Sequence, residues 1–227
     1  MPPRRHVAFC PGPPLLVPQL AQGAAPELAD LLAACDTAVS WLVERSRSVV
    51  VVGSGGTART HPDGAAGTLA GFGLAVLAGG TGPAVLPLSL CLGAWLLDRT
   101  GADTRRCYVE VTASDPVPPD VPDAAALLVI GDGTARLSER APGGLDPSAA
   151  EHADRVAAAL ASGNAAALAA LDPDEGERLM AAGVPAWRAV GAAVAADPGP
   201  VQASLLARSA PYGVDYLVAT WQQGPQQ

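Results

Sequence analysis

The chain has 227 residues, 49% apolar and 16% charged, which is enough apolar material for a sizeable core and excludes a largely disordered chain. Its net charge of −8 and pI of about 4.7 argue against nucleic acid or anionic membrane as partner. All 14 cationic side chains are Arg, which excludes Schiff-base and PLP chemistry and Walker-type phosphate loops, each of which needs a Lys.

Strand and helix signals alternate along the chain. His6 to Cys10 reads as a short strand ending in Pro11-Gly12-Pro13-Pro14. A helix is predicted from about Pro26 to Arg45, with Leu28, Leu31, Leu32, Cys35, Val39, Leu42 and Val43 on one face. Ser48 to Val52 is a β-branched run of the kind buried on both faces of a sheet. After a Gly-rich section, Leu88 to Leu97 reads as helix, Arg106 to Thr112 as strand and Thr112 to Asp123 as a Pro/Asp-rich loop. Ala125 to Ile130 is a second buried strand, followed by Gly131-Asp132-Gly133. Asp146-Pro147 opens a helix to Gly163, Asp172-Pro173 opens another to Gly183, and a third spans roughly Ala186 to Ala196. Val201 to Leu206 and Val214 to Ala219 close the sequence as strands, with a tail from Gln222. Strands separated by helices predict a single α/β domain with a largely parallel or mixed sheet.

Gly64 to Leu97 lacks charge, but Gly71, Gly73, Gly79, Gly80, Gly82, Pro83 and Pro87 interrupt it, so a buried Gly-rich loop and core helix are expected rather than a membrane span. Cys10, Cys35, Cys91 and Cys107 form no CxxC pair and read as unpaired packing thiols. Only Val7, Ala8 and Phe9 follow Arg4-Arg5 before the prolines, too short for a signal sequence, so a cytoplasmic location is expected.

Three constellations are candidates for chemistry. Gly53-Ser54-Gly55-Gly56-Thr57-Ala58 fits a dinucleotide fingerprint, but Pro62 and Gly64 follow where a helix must open, so a loop at the sheet edge is expected. Ser54 lacks the elbow of a hydrolase nucleophile, and His152, beside Glu151 and Asp154, reads as part of a solvated helix face. His61, Cys10 and Asp132 could converge on a metal at the strand ends, against the plainer reading of His61 as a solvated loop residue.

Five segments occur in a familiar order: Phe9-Cys10-Pro11-Gly12-Pro13-Pro14-Leu15-Leu16-Val17-Pro18, Leu86-Pro87-Leu88-Ser89-Leu90, Gly131-Asp132-Gly133-Thr134-Ala135-Arg136, Ala141-Pro142-Gly143-Gly144-Leu145-Asp146-Pro147 and Ala210-Pro211-Tyr212-Gly213-Val214. Together they resemble the catalytic B subunit of class III extradiol ring-cleavage dioxygenases and the related Memo-like proteins, closest to a short actinobacterial branch. The resemblance implies one such domain over residues 1–221, with 222–227 as tail. It also implies an Fe(II) site of two His and a carboxylate, with a further His as acid/base. At those positions this chain has Gly12, Ser54 or Gly55, Ala181 and Ala135. Gly and Ala carry no donor.

The expectation is therefore a protein with the dioxygenase fold but neither cofactor nor catalytic residues, acting as a binding or scaffold protein. The alternatives are an active dioxygenase or other oxidoreductase with Fe(II) on non-standard ligands, and a metal-free hydrolase or transferase in the same cleft. Candidate cleft residues are Cys10, Gly12, Ser54, His61, Asp132, Ala135, Arg136 and Tyr212. Asp132 has a competing role as a turn cap, Arg136 as partner of Glu139, and Tyr212 as a core ring bonded to backbone. The expected partner is a small molecule, not nucleic acid or membrane, with homo-oligomerisation left open.

Overall fold

Apolar and β-branched runs build the middle of the sheet. The computed structural model describes residues 5–114, 126–197 and 199–224. The Thr112 to Asp123 loop lies mostly outside the described residues, as do Arg4, Ala125 and the last three residues. In chain order the elements are β1 (Arg5–Cys10), α1 (Pro18–Ala21), α2 (Ala29–Val43), β2 (Ser48–Ser54), β3 (Arg59–His61), β4 (Ala66–Thr68), β5 (Leu77–Gly79) and α3 (Leu88–Arg99). There follow β6 (Arg105–Val111), β7 (Ala126–Ile130), α4 (Ala149–Ser162), α5 (Ala165–Ala169), α6 (Pro173–Arg178), α7 (Val184–Ala195), β8 (Val201–Ser209) and β9 (Tyr216–Gln223).

Among the described residues the main sheet has seven strands in the order β3-β6-β2-β7-β1-β9-β8. The four central strands, β6, β2, β7 and β1, are parallel; β3, β9 and β8 join antiparallel. This is the mixed α/β sheet flanked by helices that the alternation predicts. Side-chain period two splits each central strand between two cores. Val49 and Val51 of β2 and Leu128 and Ile130 of β7 face α2 and α3, whereas Val50, Val52, Leu127 and Val129 face α4, α5 and α7. All eight are at most 1% exposed. Burial of such a side chain contributes about 1.5–3 kcal/mol, so these strands anchor the fold. The indole of Trp221 donates to Leu160 O at 2.7 Å and meets Phe9 edge-on, tying α4 to β9 and β1.

Several boundaries differ from the sequence expectation. The helix expected from Pro26 starts at Ala29, because Pro26 sits in a 3-10 segment, Gln22–Leu28, that follows α1. The helix expected to run from Asp172 to Gly183 stops at Arg178. Gln222 and Gln223 are not tail: they pair with His6 and Arg5 of β1, and Gln223 is buried. Strands β3, β4 and β5 lie in the Gly-rich stretch read only as loop, since three-residue strands carry no periodicity. The four cysteines are unpaired; Cys10, Cys35 and Cys91 are buried and Cys107 half-buried. Among the described residues no helix is long and apolar enough to cross a membrane.

Candidate functional site

The neighbouring strands β2 and β7 lead to opposite faces of the sheet, β2 through the Gly-rich section into α3 and β7 into α4. That arrangement leaves a crevice beyond the carboxyl ends of the strands, the usual ligand site of an open α/β sheet. The segment from Leu179 to Gly183, between α6 and α7, is strapped across it. On the β7 side, Leu179 O accepts from Thr134 Oγ1 at 2.8 Å and from Ala135 N at 3.2 Å. Gly183 N donates to Asp132 O at 2.8 Å. A side chain on Gly131 would collide with the backbone of Gly183, and a Cβ on Gly183 would stand 2.5 Å from the Trp187 ring. Two glycines and an indole are thus stacked with no space between them. Among the described residues one bond holds the strap on the β2 side, from Ser54 Oγ to Ala182 O at 2.7 Å.

Beside that bond the crevice opens into a cavity of about 540 Å³. Its wall comes from Ser54-Gly55 at the end of β2, Thr112-Ala113 at the end of β6, and Pro173, Gly176, Glu177, Met180 to Ala182, Val184 and Pro185 around the strap. That volume is typical of small-molecule sites, about 300–1,000 Å³. A hollow of about 430 Å³ between α4, α5 and the start of α6 lies away from the strand ends.

The candidate residues separate into groups. Ser54 lines the cavity, as does Ala181. Gly12, Asp132 and Ala135 belong to the closed side. Asp132 Oδ1 accepts from Gly12 N at 2.7 Å, which joins the ends of β1 and β7. Burial pushes its carboxyl up to about 6, against the opposing pull of the Gly12 N–H. Tyr216 is also pushed upward, first by burial and then by Asp132 and Tyr212. A Cβ on Gly12 would stand 2.7 Å from Ile130 Cγ2. Cys10 packs in the core beside Cys35, and its thiol is raised first by that contact and then by burial.

His61 is not solvated. It lies 4% exposed on β3, with Nε2 3.1 Å from Glu110 Oε2. Glu110 also accepts from Arg59 Nε and Thr57 N, each at 3.0 Å. Burial pushes its carboxyl up, but Thr57 N–H, Arg59 and His61 outweigh it and hold it below the usual value. A Cβ on Gly55 would collide with this carboxylate, so the glycine there makes room for Glu110. The set His61, Cys10 and Asp132 is not assembled. His61 is on the first strand of the sheet order and Cys10 on the fifth, roughly 19 Å apart at about 4.8 Å per strand. Among the described residues no three His, Cys, Asp or Glu side chains are grouped so that they could share a metal ion.

His152 is likewise not on a solvated face. It is fully buried, with Nδ1 3.1 Å from Glu175 Oε2, because α4 turns it towards α6. Arg136 donates to Arg178 O at 3.0 Å and faces Asp146, not Glu139. Tyr212 is exposed, with φ +59°, and its hydroxyl donates to Glu27 Oε2 at 2.9 Å; it is not a core ring.

The Fe(II) that the resemblance implies does not fit these residues. Ser54 gives its proton to Ala182 O, Ala181 and Ala135 end in methyl groups, and Gly12 has no room for an imidazole as the backbone stands. Sequence reasoning missed Glu177 and Met180, because the helix expected to run to Gly183 would have hidden the strap. Gly176 was the available signal: a Cβ there would meet Val184 Cγ2 at 2.9 Å, so the glycine marks the close approach of α6 and α7. No protein-family model matches the chain, and no curated protein shows significant similarity to it.

Proposed function

We propose that this protein is a non-catalytic small-molecule binding protein on an extradiol dioxygenase-like fold, without the iron site and ring-cleavage chemistry of that family. The observation that carries this reading is the cavity at the ends of β2 and β6. It persists at the carboxyl edge, and the wall residues at family-pattern positions are Ser54, whose hydroxyl is committed to the strap, and Ala181. A fold outlives its chemistry when the donors are lost and the crevice is kept. The reading keeps a small molecule as partner and a cytoplasmic location; the net charge of −8 disfavours nucleic acid.

The test is anaerobic loading with Fe(II), followed by metal analysis and oxygen uptake with catechol. The expected result is no stoichiometric iron and no catechol-dependent uptake. Iron held at one per chain together with catechol-dependent uptake would overturn the proposal.

A further inference from the structure

Arg188 stands on α7 one turn past the cavity wall. The residue is half-buried, and its Nε and Nη1 are buried with no hydrogen-bond partner among the described residues. Arg155, Arg178 and Arg208 each face a carboxylate, of Glu175, Asp146 and Asp154, at 2.7–2.8 Å. Among the described residues no carboxylate faces Arg188. A guanidinium keeps its proton at any pH the fold survives, so burial cannot neutralise it. Buried N–H groups of a charged side chain are costly to leave without an acceptor. An acceptor brought from outside the chain removes that cost.

Two features direct this charge to the cavity at the ends of β2 and β6. Pro185 is a wall residue, and Arg188 follows it by three positions. Residues so spaced are neighbours on one helix face, with Cβ atoms roughly 5–6 Å apart. Helical side chains also lean towards the helix N-terminus, which carries the Arg188 stem back over the turn that holds Pro185. Val184 and Pro185, the first two residues of α7, both line the cavity, so the positive end of this twelve-residue helix faces it as well. Glu177 on the α6 wall carries the opposite charge, but it is exposed and water screens it. The desolvated charge acts more strongly than the solvated one. Ala113, Pro173, Ala182, Val184 and Pro185 leave an apolar wall for the rest of a ligand.

We propose that the cavity binds a small organic acid, a carboxylate on an apolar body, with the guanidinium of Arg188 as its anchor. This rests on the binding reading given above. The intact protein is titrated calorimetrically with cyclohexanecarboxylate, cyclohexanemethanol and cyclohexanemethylamine, which are similar in size and differ in charge. The Arg188 Nε–H resonance, assigned as the one lost in Arg188→Met, is followed in parallel. The carboxylate is expected to shift that resonance and to bind about tenfold more tightly than the alcohol, the scale of a charge-assisted hydrogen bond.

Arg188→Met keeps the apolar stem and breaks no bond within the chain, so it is expected to fold as the parent does and to bind acid and alcohol equally. Arg188→Lys keeps the charge without the planar fork and is expected to retain about threefold preference for the acid. Ala182→Phe fills the cavity from an exposed wall position and is expected to weaken all three probes about tenfold or more. Equal binding of acid and alcohol, tighter binding of the amine, or an unchanged preference in Arg188→Met overturns the proposal and leaves the binding reading standing. Undiminished acid binding in Ala182→Phe places the anion outside this cavity and overturns it too. If none of the three probes binds, both the proposal and the binding reading fail.

Discussion

The two halves of the carboxyl edge are built from the same materials, glycines and small side chains after buried strands, yet one is shut and the other open. At the β7–β1 end, Gly131, Gly183 and Trp187 are stacked without space, and Asp132 spends an oxygen on the Gly12 N–H. At the β2–β6 end, among the described residues, a single hydroxyl holds the strap and a cavity of about 540 Å³ remains. A glycine next to backbone closes a gap, whereas a glycine or alanine next to nothing leaves one. Loss of side chains therefore predicts neither outcome until the neighbour is known.

Gly131→Val tests the closed end most severely. Its side chain has to displace the Gly183 backbone, and overpacking against backbone costs about 3 kcal/mol or more. Gly56→Val is the matched change beside the open end, where a Cβ meets nothing within 4 Å, and is expected within about 0.5 kcal/mol of the parent. Denaturant unfolding of both variants measures the contrast; equal effects would dissolve it.

Asp132 offers a second test of the closed end, through pH. Its pKa is raised in the folded state from 3.8 to about 6, so between those values the folded protein binds more protons than the unfolded chain. Stability then falls as pH rises through that window and stays lower above it. Asp132→Asn keeps an acceptor for Gly12 N without the charge. It is expected to be about 2 kcal/mol more stable than the parent at pH 7, allowing for partial exposure, and to converge with it below about pH 4. Parallel stability–pH curves would show that the carboxyl is not desolvated.

At the open end the effects are smaller. Ser54→Ala removes the bond to Ala182 O and is expected to cost about 1 kcal/mol. Amide exchange should quicken at residues 180–182 while the amides of Ala135 and Gly183 stay protected. Met180→Gly is expected to raise stability by about 0.5 kcal/mol, the relief of the αL side chain less the added freedom of the unfolded chain. A loss of stability would mean that the Met180 sulfur, which sits where a Cβ of Gly143 would lie 2.6 Å from it, is held by its packing.

Much of the architecture was legible in the sequence. The β-branched run of β2 and the apolar run of β7 announce strands buried on both faces, and the mixed sheet between helices follows from their alternation with amphipathic segments. Ser54 was visible as a candidate because it follows such a strand. The two buried imidazoles were misread for one reason. His61 and His152 stand among polar neighbours in the chain, and only their distant partners, Glu110 and Glu175, take them out of solvent.

The sequence by itself determined the class of fold, the chemistries closed to a chain without Lys, and the absence of donors at Gly12, Ala135 and Ala181, because these depend on residue type and local period alone. Tertiary structure alone decided that α6 stops at Arg178, that the strap lies flat on Gly131, and that Glu177 and Met180 border a cavity. Each of these depends on what the chain meets after it has folded back across the strand ends, and a close approach between residues 50 or 130 positions apart leaves no periodic trace in the sequence.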